Sequence, residues 1–305
     1  MLSRVRLGLG IRRRMVKAPL DPARISWSFD IYSWLAELDA GQWVLDIGAG
    51  EGSFQWACRG CVAALDEDAK SFSNAPDRDP SSYHRVCGRG DRLPFGDRSI
   101  DLIICHHALE HLDGLVRVLN EMARVLKPDG RLYVAVPNGY GLCDAVYRFV
   151  FEGGGHLNRF ARKPLAGMIE RSVGVRLARW QKLYSSFAYL RRLMNLMATP
   201  PVGLSRRLRR LGRFPWALGA VQWVLYVGSR LADRVLGTDL GVYGWALYFD
   251  HESGPPVEDP PYANVCLNCG AGHHALSVHR PYPGVYRCKI CDRVNPFVRP
   301  FRNSA

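Results

Sequence analysis

Four of the nine cysteines stand as two pairs, Cys266-Leu-Asn-Cys269 and Cys288-Lys-Ile-Cys291, with eighteen residues between the pairs. Two such pairs supply four thiolates for a tetrahedral ion, and a closed all-sulfur shell points to structural zinc, with rubredoxin-like iron as the minor alternative. A tail of roughly fifty residues buries too little core to fold unaided, so the metal is expected to carry its folding. His273, His274 and His279 lie between the pairs and, with the shell already filled, read as loop residues. Cys58-Arg-Gly-Cys61 has the same internal spacing but neither a second pair nor a nearby histidine, and reads as two small packing groups.

A second chemistry is written in Trp43-Val-Leu-Asp-Ile-Gly-Ala-Gly-Glu-Gly-Ser-Phe54, where an apolar run enters a turn containing Gly48, Gly50 and Gly52. Glycines there allow positive φ and close approach of the backbone to a ligand. The GxGxG spacing is not the GxGxxG of a dinucleotide clamp. A second apolar run, 61–65, ends in Asp66-Glu67-Asp68, and an acid at such a strand end is placed to accept hydrogen bonds from ribose hydroxyls. Histidines follow at His106, His107 and His111 with Glu110 beside them, and another, His156, follows a glycine run that suggests a mobile loop.

These groups need elements to hold them. Arg92-Leu-Pro-Phe-Gly-Asp-Arg-Ser-Ile-Asp-Leu-Ile-Ile-Cys-His-His-Ala-Leu-Glu-His-Leu112 reads as a turn and a buried strand ending at Cys105. Leu119 to Asn138 reads as a helix closed by Lys127-Pro-Asp-Gly130 and then a strand, the alternation of a parallel sheet. With LDIGAGEG, LPFGDRSIDLI, ALEHL and EMARVLKPDGRLYVAVPN in this order, the chain resembles the class I S-adenosylmethionine-dependent methyltransferases of the type 11, ubiquinone-biosynthesis-like group. The resemblance covers residues 25–180 closely and the strand at 243–249 more loosely.

The resemblance implies a Rossmann-like, doubly wound, mostly parallel seven-stranded α/β sheet and S-adenosylmethionine as cofactor. It places Asp46, Gly48, Gly50 and Gly52 around the methionine end and Asp66 on the ribose. The family's adenine-contacting Asp falls at Arg89 in this chain, so either the loop shifts and Asp91, the nearest acid, serves in its stead, or the backbone alone holds the adenine edge. Methyl transfer from a sulfonium is an in-line displacement, in which the protein aligns the nucleophile and excludes water, with a base needed only where the acceptor must lose a proton. His107 and His156 are the candidate catalytic groups; Glu110 and His111 read as fixing their loop by hydrogen bonds.

The sixth strand is expected at 173–179 and the last at 243–249, with an insertion of about sixty residues, 180–242, as a helical cap between them. The chain's formal charge is +13, and residues 141–240 hold 17 basic and 5 acidic side chains, with no acid between Glu170 and Asp233. Arg206-Arg-Leu-Arg-Arg-Leu-Gly-Arg213 precedes the apolar stretch 214–228, which is too short to span a bilayer and is interrupted by Gln222. Basic groups beside Trp216, Trp223 and Tyr226 suit residues 206–234 to an anionic membrane surface, and equally to a buried lid. Three regions are expected: a basic arm, 1–24; the methyltransferase domain, 25–253; and a Pro-rich linker with the zinc ribbon, 254–305. With no secretory core at the N-terminus the expected location is cytoplasmic, peripheral at the inner face of the membrane. The expected activity is methylation of a small or lipid-linked acceptor. RNA methylation is the first rival, since basic groups and a ribbon suit a polyanion. A non-catalytic scaffold protein retaining the fold is the second.

Overall fold

The structure of the protein, a computed structural model, describes residues 31–50, 60–74, 82–150, 156–187, 190, 215–252, 254–259, 264–267, 272–273, 279–281, 283–288 and 292–297. The arm 1–24, Gly52, Cys58, the glycines at 153–155, the arginine run 206–213, Cys269, His274 and Cys291 lie outside the described residues.

Eight strands form the main sheet: β1 (Trp43–Ile47), β2 (Cys61–Asp66), β3 (Tyr83–Cys87), β4 (Ile100–His106), β5 (Leu126–Pro137), β6 (Arg176–Tyr184), β7 (Val242–Asp250) and β8 (Val257–Asp259). Their order is β3-β2-β1-β4-β5-β7-β6-β8, with β7 antiparallel to both neighbours and the other pairings parallel. Such strands are apolar on both faces because both are covered. Leu45, Ala63, Leu65 and Ile103 pack beneath α2 (Leu115–Val125) and α4 (Arg162–Val173). Their alternates Val44, Val62, Ala64, Leu102 and Ile104 pack with Ile31, Trp34 and Leu35 of α1 (Ile31–Glu37) on the other face.

The expectation of seven strands is corrected to eight. The extra strand, β8, lies within the segment read as a linker: Val257, Glu258 and Asp259 pair with Arg179, Trp180 and Gln181, and buried Asp259 accepts from the Arg179 guanidinium. The sixth strand is corrected to Arg176–Tyr184, because α4 continues through Val173 and stops only at Gly174, whose φ of +83° caps it in the left-handed region. The last strand stands where expected. The Lys127–Gly130 turn is absorbed into β5 as a break in register, Ile100 pairing with Leu126 and Leu102 with Arg131.

The insertion carries α3's partner helix α5 (Pro215–Leu236), α3 being Leu142–Val150. Its burial reverses the usual order. Leu218, Gln222, Tyr226, Ser229, Arg230 and Asp233, three or four residues apart, face inward. Trp216, Val221, Trp223, Val224, Leu231, Val235 and Leu236 face outward, Trp216 at 76% exposure. The inward polar groups have work: Gln222 Nε2 donates to the carbonyls of Ser186 and Leu267, each at 2.8 Å. Asp233 accepts from the Leu240 and Gly241 amides and from Thr238 Oγ1. Leu218 and Tyr226 pack on Cys143, Phe187 and Leu190. Among the described residues no helix is long and apolar enough to cross a membrane.

The tail continues in short pieces, β9 (Asn264–Val265) with β10 (Gly272–His273) and β11 (Val285–Arg287) with β12 (Val294–Pro296). Val265 joins the core beneath the main sheet.

Candidate active site

The carboxyl ends of β1, β2, β4 and β5 converge on one edge of the sheet, as parallel topology requires of a site built from successive βα loops. At the end of β1, Gly48 and Gly50 take φ of +69° and +53°. Gly48 has a second constraint, since a Cβ there would overlap the Cβ of Ala108 in the loop after β4. The amides of Gly48 and Ala49 both donate to the Leu65 carbonyl, at 2.9 and 3.0 Å, locking the turn to β2. Asp46 beneath it is wholly buried.

Asp66 closes the cradle. Its Oδ2 accepts from the Gly50 amide at 3.0 Å, and its Oδ1 from the Asp68 amide at 3.0 Å and Ser71 Oγ at 3.1 Å. A carboxylate has about four acceptor sites, so these bonds aim it and leave capacity for ribose hydroxyls. Asp91 is differently engaged: Arg89 donates to both of its oxygens, from Nε at 2.8 Å and Nη2 at 3.1 Å, and Arg117 lies 3.5 Å away. The Arg89 hydrogen bond holds the Asp91 carboxyl below its ordinary range. The residue at the family's adenine position thus occupies the acid that stands nearest to replace it.

The block around EMAR has a mechanical job. Leu93 donates its amide to Glu121 at 2.7 Å, and Arg124 reaches the carbonyls of Leu93 and Phe95 together with Glu121 and Asp97, so α2 grips the LPFGD turn.

Beside the glycine turn a cavity of about 410 Å³ is lined by His107, Glu110, His111, Asp144, Tyr147, His156, Tyr184 to Phe187, Tyr243 and Val265, among others. His107 is committed on both nitrogens: Nδ1 lies 3.3 Å from Glu110 Oε1 and Nε2 3.1 Å from the Tyr243 hydroxyl, with its backbone at a φ of +54°. His106, behind it, is kept neutral, its pKa lowered well below the ordinary value by burial. His156 is held at Nδ1 by Asp144 Oδ1 at 3.0 Å and stacked on Tyr147, while Asp144 is itself held by Arg148 at 2.6 Å. Burial lowers the His156 pKa, and the Asp144 hydrogen bond opposes it.

His156 follows the glycine run but is anchored. The amides of Leu157 and Asn158 donate to the Glu110 carbonyl at 2.8 and 3.0 Å, and Asn158 Nδ2 donates to the carbonyls of Leu109 and Leu112. The ALEH turn is thus held through its backbone, and Glu110 Oε1 adds a side-chain contact to His107. Sequence reasoning missed Asp144, Tyr147, Tyr243 and Val265. Asp144, Tyr147 and Arg148 stand three and four apart, one face of α3, and that spacing was the available signal.

In the tail, Cys266 and Cys288 are both buried. His273, expected in a loop, lies in β10, buried, with Nε2 3.2 Å from Cys288 Sγ. The Asp292 amide donates to the Cys288 carbonyl at 2.9 Å.

The Methyltransferase domain family matches residues 45–134, which hold the glycine turn, Asp66 and the His107–His111 segment. The chain is 34% identical over 158 residues to the methyltransferase YcgJ of Bacillus subtilis strain 168, a protein of uncharacterised role, covering 50% of this chain and 58% of that protein. It is 39% identical over 103 residues to demethylmenaquinone methyltransferase of Corynebacterium glutamicum strain R, covering 32% and 43%. The chain thus spans less than two thirds of these relatives. A solved structure described as a methyltransferase of an antibiotic biosynthesis pathway in Anabaena variabilis ATCC 29413 shares the fold, with a TM-score of 0.51 at 16% identity over 72% of this chain and 96% of that one. These matches support an S-adenosylmethionine-dependent methyltransferase.

Proposed function

We propose that the protein transfers the methyl group of S-adenosylmethionine to a small or lipid-linked acceptor bound in the cavity beside the glycine turn. The observation that carries this reading is the placement of that cavity. It opens at the carboxyl edge of the sheet, and its His107–Glu110 wall continues directly into Ala108, which packs on Gly48. A sulfonium methyl held at the turn faces a nucleophile in the cavity; the C–S bond breaks as the new bond to oxygen or carbon forms, and the acceptor's proton is released. Gly48, Gly50, Gly52, Asp46 and Asp66 hold the cofactor, and the Glu110, His111 and His156 side of the cavity activates the acceptor.

The outward apolar face of α5, with the arginine run that precedes it, docks on an anionic membrane surface and sets the cavity near a lipid-borne acceptor. In the tail, Cys266, Cys269, Cys288 and Cys291 hold a structural zinc ion. The donor set fits, since the two described thiols are buried and His273 is placed to donate to Cys288 once that thiol is a thiolate.

The test is incubation of purified protein with methyl-labelled S-adenosylmethionine and fractionated lysate. Label in lipid extracts or in small molecules is expected. Label confined to RNA would make the polyanion reading the correct one, and calorimetry showing no binding of the donor would sink the enzyme reading altogether.

A further inference from the structure

Three side chains in the cavity bring one possible ligand atom each to a single point. Glu110 is 1% exposed; its Oε1 meets His107, but its Oε2 has no hydrogen-bond partner among the described residues. His111 and His156 pack edge to face, with ring centroids 4.9 Å apart. One donor atom from each of Glu110, His111 and His156 lies within 4.8 Å of the other two. A buried carboxylate oxygen without a donor is costly unless something positive meets it, and among the described residues no lysine or arginine lines the cavity.

We propose that Glu110, His111 and His156 bind a divalent first-row transition metal ion, with an open coordination position facing the cavity. Three observations converge. The donor set, two imidazoles and one carboxylate, is the open three-ligand kind that leaves room for a further oxygen. Ligand separations of about 3 to 4.3 Å belong to an ion bonded at about 2.1 Å, and side-chain rotation brings atoms already within 4.8 Å of one another into that range. The third is the support behind the ligands: Asp144 accepts from His156 Nδ1 and turns the remaining nitrogen outward, and His107 orients Glu110. Neither His107, tied to Tyr243, nor Asp144, tied to Arg148, is itself a ligand.

This inference deepens the proposed function and rests on the acceptor occupying the same cavity. The ion would receive an oxygen of the acceptor and favour its deprotonation, the proton leaving to solvent, before that oxygen attacks the sulfonium methyl. It therefore favours an acceptor with an ionisable oxygen at or beside the methylated atom.

The test uses full-length, zinc-replete protein titrated with Co²⁺ and followed by visible absorption. The expected result is one further equivalent per chain with weak ligand-field bands and no sulfur charge-transfer band, which separates this site from the cysteines. His111→Ala, at an exposed position that does not endanger the fold, and Glu110→Gln should each weaken binding at least tenfold. Asp144→Asn, which reaches the ion through His156, should weaken it by about tenfold or more. Absence of the nitrogen and oxygen type of spectrum in the wild type, or its persistence undiminished when His111 and His156 are both replaced by Ala, overturns the metal site. Labelled methyl transfer on the same samples keeps the two readings apart. Transfer without the cobalt signal refutes the metal alone, and a cobalt signal with no acceptor in any fraction supports the metal while refuting the proposed function.

Discussion

Gly48 is required twice over, by its positive φ and by Ala108 pressed against it. Gly48→Ala is therefore expected to cost about 2–4 kcal/mol of stability and to abolish donor binding, read by urea denaturation and calorimetry. Asp66→Ala removes a ribose acceptor and also the group that ties the Gly50 amide to Ser71, so its effect on donor affinity is expected at about 1–3 kcal/mol. The histidines give a pH dependence with a definite sign. Burial lowers the pKa of both His106 and His156, so on acidification the unfolded chain takes up those protons first, and stability falls as pH drops below about 6.5. Urea midpoints should drop between about pH 7.5 and about pH 5.5, and less steeply in His106→Asn. The glycine turn and the acid beside it, which the proposed function makes the cofactor cradle, were legible in the sequence because their parts are local: glycines two apart in one turn and an acid at the next strand end. The other half of the site was not, because the Asp144–His156 and His107–Tyr243 contacts join distant segments and follow no spacing rule.

At the scale of the element, α5 reads in the sequence as apolar on every side. Its orientation is decided by what needs a partner. The Ser186 carbonyl and the Gly241 amide lie buried and the Leu267 carbonyl and Leu240 amide partly so, and the helix turns Gln222 and Asp233 toward them, leaving tryptophan and valine outside. Unmet backbone groups outweigh the burial of a few more apolar side chains. Gln222→Leu should consequently destabilise the protein by about 2–4 kcal/mol even though it makes the helix more apolar. Trp216→Ala with Trp223→Ala should leave stability within about 0.5 kcal/mol and yet remove most binding to vesicles rich in anionic lipid. Sedimentation with such vesicles checks this, and an undiminished affinity in the double variant would refute the docking face.

For the molecule as a whole, the tail is continuous with the domain where a free linker was expected. Val265, one residue before Cys266, lines the cavity, and Gln222 holds Leu267 immediately after it. On the proposed zinc site, stripping the metal from the tail, or Cys288→Ser, should raise the KM for the acceptor while leaving donor affinity near its wild-type value, since the glycine turn is held by Leu65, Asp66 and Ala108. Equal loss of both would show the tail to be a general support for the fold. The linker reading failed for a physical reason: β8 has only three residues, set among prolines, and is held by a partly buried ion pair with Arg179 that no local pattern announces.

The position of β7 also governs how the chain can assemble as it is made. β5 ends at Pro137, but the strand that covers its outer edge spans Val242–Asp250, and β6 reaches the sheet only through that strand. While a ribosome adds the intervening hundred or so residues, the parallel half stands with an unpaired apolar edge, the condition that invites wrong strand pairing. A nascent chain arrested before residue 242 should therefore remain open to protease and recruit chaperones, and one arrested with residue 259 clear of the exit tunnel should not.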